Sequence, residues 1–187
     1  MSHAELLQGL LAFVWMPLLI LAGALDWACH RRLRIEHTAG LPESLLHLLM
    51  LALLGSALLA GLLLQTTAGL LAMVFVLLVL HEASYAADLR VALAARRIPA
   101  LEQWVHGFQH MLPWCGWAGL LALAPGQALA LIGRPAEAPD WALRLREPLP
   151  PWPYTLAVLA AALAFNVLPF LSEARRSARA AARGHEP

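Results

Sequence analysis

The sequence is poor in charged residues, which make up only 13% of its 187 positions. A soluble domain usually carries about 25%. Lysine is absent, so all thirteen basic residues are arginines. So few charges cannot cover a surface that faces water, and the mean hydropathy of +0.66 indicates a membrane protein. The expected partner is therefore the lipid bilayer, and no nucleic-acid partner is expected.

Two further absences bear on the compartment. The chain has only two cysteines, Cys29 and Cys115, which excludes the disulfide framework of a small secreted domain. The segment Met1–Glu5 contains no basic residue, and the apolar run after it is as long as a full span and lacks a small-residue cleavage site. No signal peptide is expected.

Apolar runs of about 20 residues are long enough to cross the hydrocarbon core, and the sequence contains five of them. The fourth includes Pro113 and Pro125, where kinks are expected because proline removes a backbone donor and clashes with the preceding turn. The predicted fold is all-α: one integral membrane domain over 1–187, with a four-helix bundle as its core and a basic cytoplasmic tail at 172–187. The predicted spans are 6–25, 45–64, 69–87, 101–132 and 154–171.

Arginine placement predicts the orientation. Three arginines, Arg134, Arg144 and Arg146, follow the fourth predicted span. The other ten lie in the segments after spans one, three and five. Arginine and lysine are enriched in cytoplasmic loops, so the N-terminus is predicted outside and the C-terminus inside a bacterial inner membrane. The ten are Arg31, Arg32, Arg34, Arg90, Arg96, Arg97, Arg175, Arg176, Arg179 and Arg183.

Histidine and carboxylate residues recur near the predicted cytoplasmic ends of the first four spans. Three pairs have an acid four residues before a histidine, and a fourth pair is seven residues apart. Residues at these spacings share one face of a helix. Each helix can therefore point an acid and an imidazole inward at a similar depth. The pairs are Asp26 with His30, Glu43 with His47, His81 with Asp88, and Glu102 with His106.

Ionisable groups inside a membrane need a compensating partner, since an Asp at mid-helix costs roughly 2.5–3.5 kcal/mol. Imidazole and carboxylate both bind divalent iron, manganese and zinc, and helical bundles build dimetal sites from inward-facing acids and histidines. These eight residues are thus predicted to ligate two iron ions, with manganese or zinc as alternatives and haem less favoured. The predicted activity is that of an oxidoreductase on a lipid, a quinone or another membrane-soluble substrate, with Tyr85, His110 and Glu36 moving protons.

Other interpretations remain open. Interfacial polar residues can extend to water without any ligand, which suits Glu36, His37 and Glu82 better than the more deeply placed histidines. A metal or proton transporter would use the same residues, but it needs access from both sides, and the outer half is nearly all apolar. A b-type cytochrome would need two histidines and would leave the acids unexplained. A structural protein without chemistry is the fourth interpretation.

Four strings in the sequence resemble an uncharacterised group of small bacterial inner-membrane proteins with Asp/Glu-x3-His motifs. The resemblance covers roughly 26–113 and implies no activity. The chain matches neither the histidine pattern of membrane desaturases and hydroxylases nor the Glu-x-x-His motif of soluble di-iron proteins. The strings are Asp26-Trp27-x-x-His30-Arg31, Ile35-Glu36-x-Thr38-x-Gly40-x-x-Glu43-Ser44-x-x-His47-Leu48-Leu49, Leu80-His81-Glu82 and Pro99-x-x-Glu102-Gln103-x-Val105-His106.

Overall fold

A computed structural model describes residues 1–134 and 138–183 of the chain. These residues form an all-helical structure without named strands, which confirms that the fold is all-α. A 3-10 turn at Ile35–His37 links the first two helices. The six α-helices are α1 (His3–Leu33), α2 (Gly40–Leu63), α3 (Ala68–Ala95), α4 (Ala100–Leu123), α5 (Pro125–Leu131) and α6 (Trp152–Arg183).

Several of these helices have the length and composition of membrane spans. Helices α1, α2, α3 and α6 each qualify alone, and α4 qualifies together with α5, although the two are bent by 107° at their junction. The described chain therefore has four such spans, or five if the bent pair counts as one. Large apolar side chains such as Phe13 and Val76 point outward, as lipid contact requires. The orientation across the membrane stays a prediction.

Two helix boundaries differ from the predicted spans. The fourth span was predicted over 101–132 with kinks at Pro113 and Pro125, and the helix breaks at the second of these prolines: α4 ends at Leu123 and α5 starts at Pro125. The residue before a proline disfavours helical geometry, and Ala124 has φ −132° and ψ 62°. Pro113 lies inside α4 without ending it. Helix α6 continues to Arg183, well past the predicted end at 171, so the described part of the predicted tail is a continuation of the span. Residues 184–187 of that tail lie outside the described residues.

The helices alternate in direction, so their connections collect at two ends. One end, which we call the basic end, is the one where α1 joins α2 and α3 joins α4. There Arg96 contacts both Glu43 and Glu102, and Ser44 Oγ lies 2.8 Å from Ser177 Oγ. At the opposite end, the segment 138–151 packs along the turn between α2 and α3 through backbone hydrogen bonds. The ten arginines predicted to lie on one side therefore belong to the segments around the basic end.

Helix α1 packs against α4 and α6 through hydrogen bonds and close contacts. Trp15 Nε1 donates a 2.6 Å hydrogen bond to the carbonyl oxygen of Leu112 on α4. Asn166 Nδ2 donates to the carbonyl oxygen of Ile20 at 3.3 Å. Gly23 faces the same amide so closely that a Cβ there would overlap its oxygen. Trp15 and Asn166 each lie in a π-turn, a local widening of the helix that is common at functional sites. These contacts fix the register of α1.

Candidate metal centre

All eight predicted ligands are buried. Their exposed fractions range from 0% to 6%, although they come from four helices that the sequence separates widely. A spacing of four residues, or of seven for His81 and Asp88, turns the acid and the histidine of a pair to the same side of their helix, and the helices pack with those sides facing inward. The eight are Asp26 and His30 on α1, Glu43 and His47 on α2, His81 and Asp88 on α3, and Glu102 and His106 on α4.

The first group of donors joins α1 to α4. Asp26, His30, Glu102 and His106 each offer one ligand atom within 4.8 Å of the others. His106 Nε2 lies 3.1 Å from Asp26 Oδ1, and His30 Nε2 lies 3.3 Å from Glu102 Oε1. A four-coordinate ion with bonds of about 2.0–2.2 Å places its ligand atoms roughly 3 to 3.5 Å apart. The group therefore has the size and the chemistry to hold a metal ion.

The second group adjoins the first through His30. His30, Glu43 and His47 also offer ligand atoms within 4.8 Å of one another. The rings of His30 and His47 stack with their centroids 4.4 Å apart, which leaves no space between them for a porphyrin. His47 Nε2 lies 3.2 Å from Asp88 Oδ1. Asp88 therefore belongs beside this second group, and the geometry does not favour haem between these two histidines.

Glu173 on α6 completes the cluster, and the sequence analysis did not identify it. The side chain is fully buried. Its Oε1 lies 3.0 Å from His47 Nδ1, and its Oε2 lies 3.3 Å from His30 Nδ1. One carboxylate thus contacts both stacked rings from the side away from Asp26 and Asp88. A carboxylate on the outer nitrogen is typical of metal-bound histidine, because it fixes the tautomer and the ring orientation.

A periodic signal for Glu173 is nevertheless present in the sequence. Asn166, Phe170, Glu173 and Ser177 follow one another at steps of four, three and four, and all four are buried. This spacing marks one helix face. The fifth span was predicted to end at 171, before Glu173, so this residue was assigned to the tail.

Arg96 holds the basic end of the cluster together. Its guanidinium donates two hydrogen bonds to Glu43 and two to Glu102, with lengths from 2.5 to 3.3 Å. Burial lowers the pKa of Arg96, but the hydrogen bonds to Glu102 and Glu43 outweigh it and raise that pKa above its usual value. The residue is a permanent cation. From the sequence, Arg96 was assigned only to the arginines that set topology.

Several buried polar atoms in the cluster lack a hydrogen bond. Among the described residues they include both ring nitrogens of His30, Nδ1 of His81 and Oδ1 of Asp88. Carboxylates lie 3.3 Å from both nitrogens of His30, and His47 Nε2 lies 3.2 Å from Asp88 Oδ1, but these contacts lack hydrogen-bond geometry. In native proteins a buried polar atom without a hydrogen bond usually has an ion, a water or a function beside it. Metal coordination satisfies imidazole nitrogens and carboxylate oxygens of this kind.

His81 stands apart from both groups of donors. The closest carboxylate to its Nδ1 is Glu82, at 3.8 Å. Glu82 itself turns towards α4, where its Oε2 lies 2.5 Å from His110 Nδ1 and its Oε1 accepts a hydrogen bond from Trp114 Nε1. Tyr85 packs edge-on against His110, with ring centroids 3.8 Å apart. These residues form a second polar cluster between α3 and α4.

A small cavity of about 70 Å³ connects the two clusters. It is large enough for water or a small ligand. Tyr85 and His110 line it, whereas Glu36, the third predicted proton carrier, does not and instead lies 3.7 Å from Arg176 on α6. Leu19, Met50, Leu51, Leu54 and Phe170 form its apolar wall, and its polar wall includes Asp26, His47, His81, Asp88 and His106. His81 therefore faces the same space as members of both donor groups.

The fold and the site define a class: a helical, multi-pass membrane protein with a buried Asp/Glu/His cluster that can hold metal ions. No family model, curated protein or solved structure matches the chain. The resemblance of 26–113 to small bacterial inner-membrane proteins and the inner-membrane location both stay predictions.

Proposed function

We propose that this chain is a membrane-embedded dimetal protein, with iron as the metal, that acts as an oxidoreductase on a membrane-soluble substrate. The charge of the buried cluster carries the proposal. Five carboxylates that are at most 3% exposed face one guanidinium and a set of histidines, which leaves four negative charges when the imidazoles are neutral. Uncompensated buried charge is prohibitively costly, and two divalent cations balance it. The carboxylates are Asp26, Glu43, Asp88, Glu102 and Glu173.

The donors divide between two ions. The first ion is assigned to Asp26, His30, Glu102 and His106. The second is assigned to Glu43, His47 and Asp88, with His81 facing it across the cavity. Glu43 and Glu102 can bind both a metal and a guanidinium, because a carboxylate offers about four lone-pair sites.

The remaining residues position these donors. Glu173 holds the Nδ1 sides of His30 and His47 and leaves their Nε2 atoms to face the other carboxylates. Arg96 fixes the carboxylates of Glu43 and Glu102 at the basic end. A cavity wall of leucine and phenylalanine limits water at the centre. Tyr85 and His110 line the cavity and remain the candidate proton carriers.

An iron pair would supply redox chemistry with dioxygen, which carboxylate and imidazole ligands suit. The apolar wall of the cavity favours a hydrocarbon or another membrane-soluble substrate over a polar one.

Elemental analysis and absorption spectroscopy of anaerobically purified protein test the proposal. We expect about two iron ions per chain, in keeping with a carboxylate-rich dimetal bundle. His47→Ala and His106→Ala should each lower the metal content. His37→Ala is the matched control, because His37 is exposed at the same end of the bundle. The proposal is wrong if wild-type protein is purified without metal and if adding iron does not increase its stability.

A further inference from the structure

A second cavity lies towards the opposite end of the bundle and is much larger than the first. Its volume of about 880 Å³ falls within the ~300–1,000 Å³ range of sites that hold organic ligands. We call it the apolar cleft. Its walls come from α1, α2, α3 and α4 and include Met16, Ala57, Leu58, Val74, Trp117 and Leu120. An elongated hydrocarbon suits such a lining.

The apolar cleft and the metal-side cavity meet at one residue. Leu54 lines both of them. At the far end of the cleft, the guanidinium of Arg146 donates a hydrogen bond to the carbonyl oxygen of Gly61. Leu54 and Met50 lie seven and eleven residues before Gly61 on α2, so they are about 10 and 16 Å deeper at 1.5 Å per residue.

These depths match a bilayer acyl chain. Half of the hydrocarbon core is about 15 Å thick, which is the length that the chains of one leaflet fill. A chain whose headgroup lies at Arg146 therefore ends between Leu54 and Met50, at the wall of the metal-side cavity.

Three charged residues line the cleft. One of them, Glu5, is engaged in the cap of α1, where its Oε2 accepts a hydrogen bond from the Ser2 backbone N–H. The other two lie at the mouth and carry one charge of each sign. Arg146 and Glu147 both line it. Within the described ranges, no carboxylate lies within ion-pairing distance of the Arg146 guanidinium, whereas Arg144 in the same segment pairs with Asp140. A guanidinium without a carboxylate partner can bind a phosphate, and the neighbouring carboxylate of Glu147 can bind an ammonium group. The pair is complementary to a zwitterionic headgroup.

We propose that the apolar cleft binds a zwitterionic phospholipid, with its phosphate at Arg146, its amine at Glu147 and one acyl chain ending beside Leu54. The further step, that this chain is the substrate, rests on the proposed function of the metal centre. The substrate class is then an acyl chain that is still attached to its headgroup.

Native mass spectrometry of the protein with phosphatidylethanolamine or phosphatidylglycerol tests the headgroup site. The wild type should retain phosphatidylethanolamine preferentially. Arg146→Gln should lose at least tenfold in retention of both lipids, and Glu147→Gln should remove the preference between them. Arg144→Gln is the matched control and should behave as the wild type. Equal retention by Arg146→Gln, or equal loss in Arg144→Gln, would overturn the assignment.

A phosphatidylethanolamine with a photoreactive group at the end of its acyl chain tests the depth. Cross-links should concentrate at Met50, Leu51 and Leu54, and Leu54→Trp should displace them. Cross-links confined to outward-facing residues such as Phe165 would refute the chain position. Metal content is measured on the same samples. A wild type that holds metal but retains neither lipid disproves only the lipid site, whereas a wild type that holds no metal disproves the proposed function.

Discussion

Replacing Arg96 with alanine removes the guanidinium that joins Glu43 on α2 to Glu102 on α4. The three side chains are only 6%, 0% and 1% exposed, so neither carboxylate can recover hydration where it stands. Removing one partner of a buried ion pair costs about 3–5 kcal/mol, because the other charge is left uncompensated. Two buried carboxylates lose their counter-charge here, so the loss of folding free energy in metal-free protein should lie in the upper part of that range. Bound metal ions offset part of the loss, so metal-loaded protein should fall near the lower part.

Denaturant titration of the free energy of unfolding in mixed micelles measures this effect. Arg97→Ala is the matched control, because Arg97 is exposed and surface substitutions usually stay within about 0.5 kcal/mol. The double variant Arg96→Ala with Glu43→Gln should recover part of the loss, since one of the stranded charges is gone.

The sign of the pH dependence follows from the raised pKa of Arg96. Its stabilising contribution is fully present below the ordinary arginine pKa and is lost only as pH rises through the still higher pKa of the folded state. The difference between wild type and Arg96→Ala should therefore not shrink as pH rises through the physiological range. A loss below about 1 kcal/mol, the level of an exposed ion pair, would refute the argument that this pair is buried and essential.

Three other substitutions test separate parts of the structure. Glu173→Gln should weaken metal affinity by about 10–100-fold, the usual effect of removing an outer carboxylate, while circular dichroism shows an unchanged helix content. Gly23→Ala should lower the free energy of unfolding by about 1–3 kcal/mol through overpacking, whereas Gly55→Ala, with nothing within 4 Å of the added Cβ, should leave it unchanged or raise it by up to about 1 kcal/mol. Trp15→Phe should cost about 0.5–1.5 kcal/mol by removing the hydrogen bond to Leu112, measured by the same titration; no change would mean that this bond is not formed.

The convergence of the acid and histidine pairs could be predicted from sequence because it depends on local geometry. A spacing of four residues places Asp26 and His30, or Glu102 and His106, on one face at nearly one depth whatever the rest of the fold does. The apolar runs between them fix the helix type. Burial of these residues then follows when the helices pack with their polar faces inward.

The roles of Glu173 and Arg96 could not be predicted in the same way. Each of the two residues lies in a polar stretch that contains arginines, and such stretches usually face water or lipid headgroups. Only the tertiary packing of α6 against α1 and α2 carries Glu173 inward, and only the short connection from α3 to α4 turns Arg96 back over the cluster. Pro113 and Pro125 likewise look alike in sequence, yet only Pro125 ends a helix, because Ala124 before it leaves the helical conformation.

The position of Glu173 on the last of the long helices has a consequence for biogenesis. Helices α1 to α4, with all the other buried acids and histidines, leave the ribosome before α6 does. Until α6 inserts, His30 and His47 lack the carboxylate that orients them, so an ion captured earlier would meet misaligned donors. Metallation of the proposed centre is therefore expected to follow insertion of α6, once the membrane domain has been translated.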